Sequence, residues 1–79
     1  MNSSKVYIKV EDREKANMIV KPLRVLLSKY KGDSPVYIFA AKEKASFRLN
    51  RDMWIDLDTD VIDFLITKFG EENVKVVEG

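Results

Sequence analysis

The sequence predicts an α+β domain with two layers, in which two helices cover one face of a sheet. The first observation is a repeated joint. At residues 26–38 and again at 65–76, an apolar helical run ends on an aromatic residue, meets a glycine and continues as a β-branched strand. The second observation is size, because 79 residues, of which 46% are hydrophobic, supply one core and no more.

Two periodicities predict the first strand and the first helix. Residues 5–10 alternate apolar and polar side chains, which indicates a half-buried strand. Residues 16–30 carry apolar side chains at helical spacing. Because Pro22 opposes a regular helix, we expect this helix to begin near Lys21, with a looser or kinked segment before it. Gly32 then stands where a left-handed residue would end the helix.

A hairpin is predicted next along the chain. Residues 36–41 are apolar on both faces, which favours a central strand. Residues 42–44 form a short charged turn, and residues 45–49 alternate again and return as the second strand of the hairpin. Residues 53–57 are predicted either as a short fourth strand or as an extended connection.

The remaining elements are a second helix and a last strand. Residues 58–60 offer side-chain oxygens for the N-terminus of a helix whose apolar stripe runs over residues 61–69 and which ends at Gly70. Residues 73–77 form the last predicted strand. The complete order is β-α-β-β-(β)-α-β, ferredoxin-like in outline, with both helices on one sheet face.

Composition narrows the class of protein. The formal net charge is +1, from 14 basic and 13 acidic residues, which argues against a charge-driven duplex-DNA binder. The chain has no cysteine, as expected for a reducing cytoplasm, and no apolar run approaches the roughly 20 residues that span a bilayer. We expect a monomeric cytoplasmic domain at residues 5–79 without a membrane partner, preceded by a leader or flexible start at residues 1–4.

The residue types exclude most catalytic chemistry. Histidine and cysteine are absent, so there is no imidazole base, no thiolate and no ordinary zinc site. Asp56, Asp58 and Asp60 alternate as at the start of a calcium loop, but Val61 and Thr67 replace the glycine and the glutamate that such a loop needs. Helix capping explains these aspartates better. We therefore predict no catalytic residue, no metal and no cofactor, and a small enzyme built on the three aspartates is the third hypothesis.

One candidate binding surface is the sheet face away from the helices. Aromatic and basic side chains on such a face can stack and neutralise single-stranded nucleic acid. The candidate residues are Tyr7, Lys9, Arg48 and Lys75, combined with Tyr37 or Phe39. The alternative interpretation is that Tyr7 and Tyr37 only pack against each other as a cross-strand pair.

A second candidate surface lies in the irregular segment 50–57. Large apolar side chains are concentrated there, and the candidate partner-binding residues are Met53, Trp54, Ile55 and Leu57. Protein interfaces favour tryptophan as an anchor, whereas a lone tryptophan in a small domain also commonly fills the core.

Together, four stretches carry a family resemblance. They are residues 5–10, residues 23–37 with the Gly32-Asp33 and Pro35-Val36 pairs, residues 47–55, and residues 64–74 with the closing Gly-Glu-Glu-Asn-Val. Over residues 5–77 the chain resembles the C-terminal domain of the bacterial replicative DNA polymerase III alpha subunit.

The resemblance implies that the chain is a fragment of a much larger DNA-directed DNA polymerase, a nucleotidyltransferase. The family's polymerising carboxylates lie far upstream and match nothing here. The leading hypothesis is a non-catalytic domain that acts in DNA replication and docks a replisome protein, such as the clamp-loader tau subunit, with DNA reached through the parent polymerase. The alternative is a free-standing ferredoxin-like module that binds single-stranded nucleic acid on its sheet face.

Overall fold

The computed structural model describes residues 4–78, which form five strands and two helices. These are β1 (Lys5–Val10), α1 (Arg13–Leu27), β2 (Lys31–Ser34), β3 (Val36–Ala40), β4 (Ala45–Arg48), α2 (Val61–Phe69) and β5 (Val74–Val77). Short 3₁₀ turns lie at Ser28–Tyr30, Arg51–Met53 and Glu71–Asn73. Residues 1–3 of the predicted leader and Gly79 lie outside the described residues, and Ser4 is buried.

Four of the strands form one mixed sheet in the order β4-β3-β1-β5. β1 is parallel to β3 and antiparallel to β5, and β3 is antiparallel to β4. The predicted α+β class, the hairpin and the central position of β3 are confirmed. Because β1 and β3 are direct neighbours, β1, α1 and β3 form a βαβ unit whose two strands are adjacent.

A single core lies between the sheet and the helices. Inward residues of β1 and β3, such as Val6 and Ile38, pack with Leu23 of α1 and with Val61 and Leu65 of α2. Both helices therefore cover the same sheet face, as predicted. The alternating residues of the strands point to the opposite face, which neither α1 nor α2 covers.

The first helix begins earlier than the sequence predicts. α1 is continuous from Arg13 to Leu27, so the expected start near Lys21 is wrong. Asp12 caps the helix, since its Oδ1 accepts a hydrogen bond of 2.9 Å from the backbone N–H of Lys15. Pro22 lies on the exposed side of the helix, where solvent can reach the carbonyl that loses its N–H donor.

The two repeated glycines have different structural roles. Gly70 has a positive φ of 95° and ends α2, its N–H donating to the carbonyl of Ile66 at 2.8 Å, so the prediction at this joint is confirmed. The prediction at Gly32 is wrong, because Gly32 lies within β2 without a positive φ and α1 ends in the turn Ser28–Tyr30.

Gly32 is needed for a close backbone approach. Its N–H donates to the carbonyl of Trp54 at 3.1 Å, and the N–H of Asp56 donates to the carbonyl of Tyr30 at 2.7 Å. A Cβ atom at Gly32 would lie 2.5 Å from the Cα atom of Asp56. Ile55 forms isolated bridges with Lys31 and Ser34. Of the two predictions for residues 53–57, a short strand or an extended connection, the structure therefore has the connection.

Replacing Gly32 by alanine tests this approach. Gly32→Ala is expected to lower the free energy of unfolding by about 2–3 kcal/mol, because the new methyl group overlaps backbone atoms of Asp56. Urea unfolding followed by the fluorescence of Trp54, the only tryptophan, measures the change. The control Asn17→Ala, on the exposed side of α1, should change that free energy by about 0.5 kcal/mol or less. Equal effects of the two substitutions would contradict the close approach.

Candidate functional site

The uncovered sheet face carries one continuous row of side chains across all four strands. Arg48 lies opposite Tyr37, Tyr37 opposite Tyr7, and Tyr7 opposite Lys75. Neighbours in register point to the same face, so the row has a cation at each edge and two aromatic rings between them. The structure therefore brings together four of the five predicted nucleic-acid-binding residues in a single register line.

The adjacent rows continue this surface. Lys9, the fifth predicted residue, lies opposite Phe39. Lys5 lies on the same face of β1, two residues before Tyr7. Together, Lys5, Lys9, Arg48 and Lys75 form the sheet-face cations. None of them makes a salt bridge with an acidic side chain within residues 4–78.

A shallow groove of about 440 Å³ lies on this face beside Tyr7. Lys9, Phe39 and Lys75 line it, and Glu72 contributes an acidic side chain at the margin near β5. Exposed cations beside an aromatic wall can hold a phosphate backbone and a flat apolar ring at once. The groove therefore combines the residue types that are typical of a surface binding such a ligand.

The two central tyrosines contact each other directly. The rings of Tyr7 and Tyr37 are stacked, with centroids 4.8 Å apart and an interplanar angle of 17°. Lys5 Nζ lies 5.7 Å from the centroid of the Tyr37 ring. The cross-strand pair that the sequence left as an alternative is thus present, and each ring uses one of its faces within the stack. Lys5 is not among the site residues predicted from the sequence. The alternation of β1, which places Lys5 on the same face as Tyr7, could have identified it.

The segment 50–57 is largely built into the core. Met53 is 1% exposed and Ile55 is fully buried. Trp54 is half-buried, and its Nε1–H donates to the carbonyl of Leu49 at 3.1 Å. Leu57 lies at the margin of the core. Of the four predicted partner-binding residues, only Trp54 and Leu57 present surface that a partner can reach without unfolding the segment.

Two arginines contact side chains of this segment. The guanidinium of Arg51 lies 5.1 Å from the centroid of the Trp54 ring, at cation–π distance. Arg24 of α1 forms a salt bridge with Asp52 and so joins the helix to the turn Arg51–Met53. The accessible part of Trp54 is thus flanked by arginine, and tryptophan and arginine are both enriched at protein interfaces.

Asp56 stabilises the turn before α2, whereas the helix capping predicted for the aspartates is wrong, because the side chain that accepts from an N–H of α2 is that of Thr59. Asp56 Oδ1 accepts a hydrogen bond of 3.0 Å from the N–H of Asp58, while Thr59 Oγ1 accepts one of 3.3 Å from the N–H of Val61. Asp60 stands at the N-cap position without a capping hydrogen bond from its side chain. In the part of the chain that the structure describes, no group of three or more acidic side chains is arranged to hold a metal ion.

Comparison with known proteins gives one informative similarity. The chain is 29% identical over 69 residues to DNA polymerase III subunit alpha of Bacillus subtilis (strain 168). The aligned region is 87% of this chain but 6% of that protein, so the chain spans a small part of the relative's length. No family model and no solved structure matches the chain. None of the helices in residues 4–78 is long and apolar enough to cross a membrane.

The tyrosine stack gives a prediction about stability. In a double-mutant cycle of Tyr7→Leu and Tyr37→Leu, the coupling between the two rings is expected to be about 0.5–1.5 kcal/mol, as for other stacked aromatic pairs. Urea unfolding of the two single variants and the double variant measures it. A Tyr7→Leu and Phe69→Leu cycle is the control, because these side chains lie on opposite sides of the sheet. Additive effects of the two tyrosine substitutions would contradict the stack.

Proposed function

We propose that this chain is a non-catalytic domain of a DNA polymerase III alpha subunit that acts in DNA replication in the cytoplasm. In this proposal the domain docks a replisome protein, such as the tau subunit of the clamp loader, and needs no cofactor of its own. The observation that carries the proposal is the similarity to a polymerase alpha subunit over 87% of the chain. Nucleotidyl transfer belongs to the parent polymerase and not to this domain.

The residues of the domain support a binding role. Asp56 is engaged in the turn before α2, no acidic cluster within residues 4–78 is arranged to hold a metal ion, and the chain lacks histidine and cysteine. By contrast, it offers half-buried aromatic side chains and exposed apolar and cationic side chains at several places. Trp54 and Leu57 are the predicted partner contacts that remain accessible, and we propose that they form part of the docking surface.

A specific observation favours a second candidate function, binding of single-stranded nucleic acid on the sheet face. The row Arg48–Tyr37–Tyr7–Lys75 places cations and aromatic rings at strand spacing, about 4.8 Å, across the whole sheet. The near-neutral net charge suits weak, salt-sensitive binding of a single strand better than tight binding of a duplex. The sheet-face cations supply the local positive charge that the whole chain lacks.

Docking is tested by titrating the ¹⁵N-labelled domain with the C-terminal part of the tau subunit. Binding is expected to give localised NMR shift changes, and Trp54→Ala should weaken it about five- to tenfold if the ring is an interface anchor. Because Trp54→Ala also removes the hydrogen bond to Leu49, circular dichroism must show that the variant is folded. Lys42→Ala, in the distant hairpin turn, is the control. A spectrum that stays unchanged on addition of tau would refute docking to this partner.

Nucleic-acid binding is tested with a fluorescent oligothymidylate of about eight nucleotides at low salt. Lys75→Gln and Arg48→Gln are each expected to weaken binding and to lower the slope of log affinity against log salt by about 0.7. Lys29→Gln, on the helix side of the domain, should leave both quantities unchanged. Fluorescence anisotropy measures the affinities. Equal losses at Lys29 and Lys75, or no binding by the wild-type chain, would count against this function.

A further inference from the structure

The outer face of α1 carries an apolar stripe that the core does not use. Met18 and Val25 are 65% and 69% exposed, and Pro22 between them is exposed as well. A single exposed apolar side chain is common on a monomer and needs no explanation. These three residues, however, recur at spacings of four and three along the helix, which is the spacing of a helix–helix seam.

The stripe continues into a groove between α1 and α2. The groove has a volume of about 220 Å³ and is lined by Pro22 together with Ile19, Leu26 and Phe69. Pro22 thus belongs both to the stripe and to the groove, and the apolar surface extends across the width that a packed helix would cover. The carbonyl of Met18 adds a hydrogen-bond acceptor to this surface, because Pro22 has no N–H to donate to it.

Lysines surround this apolar surface. Lys15 and Lys29 continue the three-and-four spacing beyond Met18 and Val25, and Lys68 lines the groove. Lys21 is a further exposed cation on the same helix, while Glu14 is the only acidic residue of α1. Among the described residues, none of these four lysines forms a salt bridge. The surface therefore combines unused apolar area with unused positive charge.

We infer that Met18, Pro22 and Val25, with the surrounding lysines, form a docking seam for an amphipathic helix of a partner protein whose apolar side is bordered by aspartate and glutamate. The inference rests on the proposed docking function and names the surface and the chemistry of its partner. Burial of the stripe supplies the attraction. Pairing with the lysines sets the orientation and favours an acidic helix, whereas a basic helix meets like charge.

The experiment uses two synthetic four-heptad peptides with leucine at positions a and d. One peptide has glutamate at positions e and g, and the other has lysine there. In NMR titrations of the ¹⁵N-labelled 79-residue chain, the acidic peptide is expected to shift the amides of residues 15–29, and the basic peptide to shift none. Rising salt should weaken the acidic complex, because its charge pairs are exposed.

Substitutions within the seam complete the test. Met18→Glu and Val25→Glu are each expected to weaken binding of the acidic peptide by about tenfold or more, since they remove an apolar contact and add like charge. Val76→Glu is the matched control, because Val76 is an exposed apolar residue of β5 outside the seam. Melting temperatures of the three variants show whether each is folded, and the two seam variants substitute for each other if one is not.

Some outcomes overturn the inference. Equal binding of the acidic and basic peptides, failure of the acidic peptide to bind, or full binding by folded Met18→Glu and Val25→Glu would each do so. The same variants titrated with the tau fragment separate the two proposals. If tau fails to bind while the acidic peptide binds the seam, the proposed partner is wrong and the seam stands. If tau binds the seam variants as tightly as wild type, docking stands at another surface, and the peptide titrations alone decide the seam.

Discussion

The register of the central strand β1 is the constraint on which the rest of the domain depends. Val6 and Ile8 are fully buried between the sheet and the helices and pair with Val36 and Ile38 of β3. Since side chains alternate along a strand, a slip by one residue would place Lys9 in the core and Ile8 in water. Desolvating a lysine without a partner is far too costly to allow this. The burial of one set of side chains therefore determines which cations and rings share the open face.

The connection between β4 and α2 shows how core packing limits the choice of a binding surface. Gly32 lets this connection lie directly against β2. The carbonyl of Trp54 accepts a hydrogen bond from the N–H of Gly32, and the N–H of Asp56 donates one to the carbonyl of Tyr30. Met53 and Ile55 become core residues as a consequence. The large apolar side chains of this segment therefore mainly stabilise the core. The accessible parts of Trp54 and Leu57 remain for recognition, together with surfaces on the outer side of α1 and on the open sheet face.

Local sequence patterns predicted most strands and helices correctly. The errors lie where long-range contacts decide the structure. Alternation identified β1 and the face that Tyr7 and Lys75 share, and the apolar stripe with Gly70 located α2. The continuous helix through Pro22 was not predictable, because the local penalty of proline is offset by a cap at Asp12 and by the burial of Leu23 in a core that other elements complete. The crowding around Gly32 likewise depends on residues more than 20 positions away. Whether the tyrosine rings stack or stay open is decided by the packing of the finished sheet.

A nearly neutral chain can still present two cationic surfaces, because its charges are segregated. The sheet-face cations lie on one side of the two-layer sandwich, and the lysines around Met18 and Val25 lie on the outer side of the helix layer. Five of the 13 acidic residues lie elsewhere, at residues 56–60 before α2 and at residues 71–72 in the turn Glu71–Asn73. Since the two cationic surfaces belong to opposite layers, occupation of one leaves the other open. Helix docking and sheet-face binding of a single strand are therefore compatible in one domain.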